Sequence, residues 1–203
     1  MRRLLRVSGL MVIGLLCAMC LTRSDAGPGL YGDEGKDIKS GDIDSQDYWW
    51  TRFDMMMLDY AIKQHQPEGR IGLNLVSTAD RLKKLSKEYP QHEEIKKWSQ
   101  KVDDVNKKID PNAPRGEYFK PGCPWEESNF AQAWVNAHWA KMEMDQNKLD
   151  QAYGLYQNVE QNLDILLKPD RMKDYPQELH KWVEDAKPET DKIMDELKEK
   201  RQH

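Results

Sequence analysis

Cysteine is scarce in this chain: Cys17, Cys20 and Cys123 are the only three among 203 residues, and the first two lie in a segment expected to be removed. A single remaining thiol excludes an internal disulfide framework. Cys123, in the stiff stretch Lys120-Pro-Gly-Cys-Pro-Trp125, is then either half of an intermolecular disulfide or an inert side chain. Metal-binding spacings are missing as well. His65, His92, His138, His180 and His203 form no His-x-x-x-His, His-Glu-x-x-His, Glu-x-x-His or Cys-x-x-Cys-His pattern, so neither metal nor covalent haem, nor any other cofactor, is expected. No Gly-x-Ser-x-Gly elbow and no glycine-rich phosphate loop occur, which leaves nucleophilic hydrolysis and nucleotide chemistry without their usual backbone. Positive charge is not in surplus either. The net charge is −4 at pH 7, whereas nucleic acid and anionic lipid both demand a basic footprint.

What is present begins with an export signal. Arg2, Arg3 and Arg6 precede the apolar run from Leu10 to Leu21, and Ser24-Asp25-Ala26 places small residues at the −3 and −1 positions of a cleavage site before Gly27. The run is well short of the roughly 20 residues that cross a bilayer. Met19 before Cys20 and Leu16 before Cys17 do not suit an acylated cysteine. Residues 1–26 are therefore expected to be a cleaved signal peptide, and the mature chain to be exported, periplasmic or secreted, with no integral membrane segment. Cleavage removes four arginines and one aspartate, which takes the net charge from −4 to −7.

Residues 27–44 are Gly-rich and acidic with almost no periodic apolar positions, and read as a disordered lead-in. A helical period then takes over. Trp49, Phe53, Met56 and Tyr60 mark one stripe, and Ile71, Leu75, Ala79, Leu82 and Leu85 a second. Ile95, Trp98, Val102, Val105 and Ile109 mark a third, with Pro90 at its expected first turn. Residues 110–127 carry Pro111, Pro114, Gly116, Pro121, Gly122 and Pro124, so they read as a connecting loop. Three more stripes follow. The first is Phe130, Ala133, Trp134, Ala137, Ala140 and Met144; the next is Ala152, Leu155, Tyr156, Val159, Leu163 and Leu166; the last is Leu179, Trp182, Ala186, Ile193 and Leu197, interrupted at Pro188 by a kink or a restart.

The two sets align. Lys87-Glu-Tyr-Pro-Gln91 matches Lys173-Asp-Tyr-Pro-Gln177, and Lys97-Trp98 matches Lys181-Trp182; Trp49 and Phe53 fall on Phe130 and Trp134. The expected fold is all-α, with two tandem copies of a three-helix unit at 45–109 and 128–199, joined by the 110–127 loop and followed by a tail at 200–203. Each unit can bury only part of its apolar surface alone, so the copies should pack together, with Trp98 and Trp182 in equivalent buried places. Asn147 to Tyr156 resembles a tetratricopeptide turn, but a period of roughly 80 residues is not the ~34 of that family, and the likeness is one of hairpin geometry.

Most of the seven tryptophans fit the core stripes. Trp49 and Trp50 are adjacent, as are Trp134 and Val135, and consecutive bulky residues cannot share one core line. Trp50, Trp125 and Trp139 are thus the candidates for an exposed binding surface, the usual place of aromatic anchors. The expected function is that of a non-catalytic, protein-binding or scaffolding repeat module. The alternative is a cofactor- or metal-handling bundle centred on His138, with Glu143 nearby.

Overall fold

The structure is a computed structural model that describes residues 43–63, 65–110, 112–113, 128–173, 175 and 177–202. The expected signal peptide with Cys17 and Cys20, nearly all of the lead-in, and most of the connecting loop with Cys123 and Trp125 lie outside the described residues.

Among the described residues the chain is all-helical. The helices are α1 (Gln46–Lys63), α2 (Glu68–Glu88), α3 (Glu93–Asn106), α4 (Ser128–Asp145), α5 (Leu149–Leu166), α6 (Pro169–Met172) and α7 (Gln177–Arg201). Seven elements replace the expected six because Pro169, pre-set for a helical first position, starts the single turn α6. The Tyr175-Pro176 step then cannot prolong it. α7 continues as one helix through Pro188. Pro90 does not open α3 as the spacing suggested. The His92 N–H donates to the Tyr89 carbonyl at 3.1 Å, closing a turn in which Pro90 takes the second position, and α3 begins at Glu93.

α2 packs on both α1 and α3, α5 packs on both α4 and α7, and α1 meets α4. Polar ties fix the directions. Asp54 of α1 binds Arg81 and Thr78 of α2 while Asp47 binds Lys84, so α1 and α2 are antiparallel. Arg201 binds Asp150 at 2.6 Å and Lys187 approaches Asp164 at 3.2 Å, so α5 and α7 are antiparallel too. Across the junction, Phe53 lies 5.5 Å from Trp134 and Trp49 lies 5.8 Å from His138, ring centre to ring centre, which makes α1 and α4 antiparallel as well.

Burial follows from that arrangement. α1 has neighbours on two sides, so its buried set is Tyr48, Trp49, Thr51, Phe53, Met55, Met57, Leu58 and Ala61, while Met56 and Tyr60 of the expected stripe are only half-buried. α4 is covered by α1 and α5, and Trp134 and Val135 are both buried despite being consecutive. A helix with two partners has two core lines, and the one-line rule fails there. Trp182 is buried at 4% exposure against Phe130, with ring centres 4.6 Å apart. Trp98 departs from the expected equivalence: it is half-buried, leaning on Tyr48 at 5.4 Å, because α3 sits at the edge of its triplet and leaves one face of the ring open.

Candidate functional site

The C-terminal half of α4 gathers the chemistry of the molecule. Ala131, Ala133, Ala137 and Ala140 are small enough to let neighbouring helices approach, and they carry His138, Trp139 and Glu143 into or beside the core. His138 is 1% exposed. Its ring stacks on Trp134 with centres 3.8 Å apart, and Nδ1 lies 2.7 Å from the Trp134 carbonyl, so Nδ1 carries the proton and donates it. With Trp49 on its other side, the imidazole is a wedge between two indoles. Trp49 and Trp134 themselves bury indole N–H groups that have no acceptor among the described residues.

One residue further, Trp139 faces a polar cluster. Its indole N–H is shared between Asp44 Oδ1 at 2.9 Å and Glu143 Oε1 at 3.1 Å. Lys148 binds Asp44 and lies 3.4 Å from Glu143 Oε2, near enough for charge attraction but without hydrogen-bond alignment. The turn after α4 explains why Glu143 and Lys148 meet. The Lys148 N–H donates to the Glu143 carbonyl at 2.8 Å and the Asn147 N–H to the Met144 carbonyl at 2.9 Å, with Asn147 in the left-handed conformation at φ 59°. This helix ending usually brings two apolar side chains together; here it brings a carboxylate to an ammonium. Asp44 comes from the segment ahead of α1, where Ile43 is also buried, so the end of the expected disordered lead-in is seated on the fold.

Glu143 is 2% exposed. Burial, and then the neighbouring carboxyl of Asp44, raise its pKa above the ordinary carboxylate value. Asp44 moves the opposite way, to about 2, chiefly because Glu143 hydrogen-bonds to it and further because Lys148 and Trp139 do. Two carboxyls at one site thus shift in opposite directions.

Each residue singled out from the sequence has a definite place. Trp139 is half-buried with its N–H used internally. Trp50 is half-buried on α1, edge-on to Phe53 at 6.1 Å. His138 is fully interior, and among the described residues no group of three His, Cys, Asp or Glu side chains could hold a metal ion. Trp125 lies outside the described residues. Asp44 and Lys148 had not been singled out. Their signal was Glu143 itself, a carboxylate four residues after Trp139 on a helix apolar on most sides.

No protein-family model matches the chain, and neither a curated protein nor a solved structure shows significant similarity to it.

Proposed function

We propose that the chain is an exported, non-catalytic repeat protein whose two three-helix units present a protein-binding surface at their junction. The supporting observation is the way α1 and α4 meet. Phe53 and Trp134 occupy equivalent places in the sequence alignment of the two halves, and they face one another across an antiparallel pair. Equivalent positions in self-contact are the mark of an isologous, two-fold-like interface between copies of one unit.

Further likenesses agree with duplication. α1 and α4 both have 18 residues. Each ends in the same left-handed motif, at His65 (φ 52°) and Asn147 (φ 59°). After α1 the His65 N–H donates to Ile62 and the Gln66 N–H to Ala61, the same pair of bonds that follows α4. In each triplet the middle long helix packs on both others.

The junction is also where the half-buried aromatics cluster in sequence. Trp50 and Trp139 each follow a member of the buried Trp49–His138 contact. Aromatic anchors of this kind carry much of the energy of protein interfaces, while the acidic surface tunes rate and salt response. Export rests on the arginine-rich start, the short apolar run and the Ser24-Asp25-Ala26 site.

Two measurements test the reading. N-terminal sequencing of the protein from its native host should return Gly27 or a near neighbour; a start at Met1 ends the export reading. The immobilised mature chain should retain a stoichiometric partner from the exported fraction. Trp50→Ala and Trp125→Ala should lose that partner without a large change in melting temperature. Failure of the wild-type chain to retain any partner would refute the binding reading, and undiminished capture by both variants would move the surface elsewhere.

A further inference from the structure

We propose that Asp44 and Glu143 hold one proton between them and that this proton fastens the segment ahead of α1 to the end of α4, forming a latch that opens when the proton leaves. The geometry carries it. Both carboxyls accept from a single donor, Trp139 Nε1, at 2.9 and 3.1 Å, which gathers the two groups at one site. Glu143 Oε2 is buried without a hydrogen bond, and the one cation near it, Lys148 at 3.4 Å, is already bonded to Asp44, so a proton satisfies that carboxyl better than the shared ammonium does. One ammonium, Lys148, faces the two of them.

With one proton, the cluster holds one negative and one positive charge and each buried oxygen has a partner. Without it, two anions share one cation and one indole N–H, the Glu143 anion is 2% exposed and so has almost no water of its own, and the like charges separate. Asp44 is the group with solvent beside it, its side chain being 35% exposed. It lies on the chain ahead of α1, whereas Glu143 and Lys148 are held by the backbone bonds that end α4.

The charged groups around the site are few. Asp44 comes from the segment ahead of α1, Lys148 from the turn into α5, and Glu143 from α4. Asp47, the nearest acid on α1, is engaged by Lys84 of α2. His138 precedes Trp139 on α4 and wedges between Trp49 and Trp134. The opposed directions of Asp44 and Glu143, one made more acidic and one less, agree with a single shared proton.

The probe is the indole N–H resonance of Trp139 in the full mature chain, assigned by its absence from Trp139→Phe and followed with amide exchange at Ser45–Trp49. As pH rises above the ordinary carboxylate range, the resonance should titrate in one step. Exchange at Ser45–Trp49 should accelerate by about tenfold per pH unit beyond base catalysis, since each unit makes loss of the proton tenfold more favourable. Glu143→Gln and Asp44→Asn each replace the shared proton by a permanent N–H donor, so either variant should keep the resonance flat and the amides protected. A resonance that does not move in the wild-type chain overturns the latch. A titration that persists in Glu143→Gln also overturns it, by assigning the proton to another group such as His138.

Discussion

At the scale of single residues, the aromatic side chains show how much burial depends on neighbours. Trp98 and Trp182 stand after the same Lys in matching stretches, but only Trp182 has its ring enclosed. Trp182→Ala should cost about 3–5 kcal/mol by urea unfolding, and Trp98→Ala about half of that, because the open face of Trp98 leaves a smaller cavity. Trp182→Phe should be much milder, since it keeps most of the ring and removes a buried indole N–H that has no acceptor among the described residues. Equal losses for the two alanine variants would show that Trp98 is enclosed as fully as Trp182. His65 and Asn147 sit at φ 52° and 59°, where a side chain is strained and glycine is not. His65 is the less suited of the two, because the short amide of asparagine tolerates this region. His65→Gly should therefore raise stability by about 0.5–1 kcal/mol, measured by the same unfolding curve, with Asn147→Gly closer to neutral. The conformation at His65 was not legible in the sequence, since histidine marks no turn by itself, whereas Asn147 is a residue that commonly ends a helix this way.

At the scale of elements, α2 and α4 differ although each packs on two neighbours. α2 buries Ile71, Leu75, Leu82 and Leu85 as its spacing suggests, with Ala79 packed beside them. α4 gave only one of its lines, and the second, through Ala131, Val135, His138 and Met142, became visible once α1 and α5 were seen on different sides. That is also why the sequence offers Glu143 only as a neighbour of His138 and not as a partner of Asp44 and Lys148. α7 raises a different question. Pro188 lies exposed inside a continuous helix, where it lacks the N–H that would bond to Glu184 and its ring crowds that carbonyl. Lys187 beside it binds Asp191 at 2.9 Å and faces Asp164 and Glu160 of α5, and despite the opposing effect of partial burial these bonds raise its affinity for its proton. Pro188→Ala should raise the melting temperature and add about 1–2 kcal/mol, part of the ~3 kcal/mol by which proline disfavours a helix interior. A loss of stability instead would mean that the α5–α7 contact depends on the local bend at Pro188.

At the scale of the whole molecule, the α1–α4 contact makes the two triplets share one core, and the polar cluster ties the chain ahead of the first triplet to the second. Its effect on stability has a definite sign. Glu143 binds its proton more tightly in the folded chain than at its ordinary value of 4.5, so its contribution is complete below that value and is lost as pH rises through the folded one. Asp44 falls from 3.8 to about 2, so its contribution is present above 3.8 and is lost as pH falls toward about 2. Together they favour the mildly acid range. Urea midpoints of the wild-type chain should decline relative to those of Glu143→Gln as pH is raised from about 5 to about 8, because glutamine has no proton to lose. A difference that is constant across that range, or that grows the other way, would show that Glu143 titrates alike in folded and unfolded chains.

The sequence alone determined the all-α class and the approximate reach of each long helix. Apolar residues recurring every three or four positions, with Pro and Gly between them, admit few other solutions: Ile71 to Leu85 and Tyr156 to Leu166 are local patterns that need no partner to be read. Only the tertiary structure decided which faces are covered, that Trp98 and Trp182 differ, that His138 lies between two indoles, and that Asp44 reaches Glu143. Those contacts join residues up to 104 positions apart, as between Asp44 and Lys148. Burial and proton affinity at such sites are set by what the rest of the chain brings within a few ångströms, and no local pattern records it.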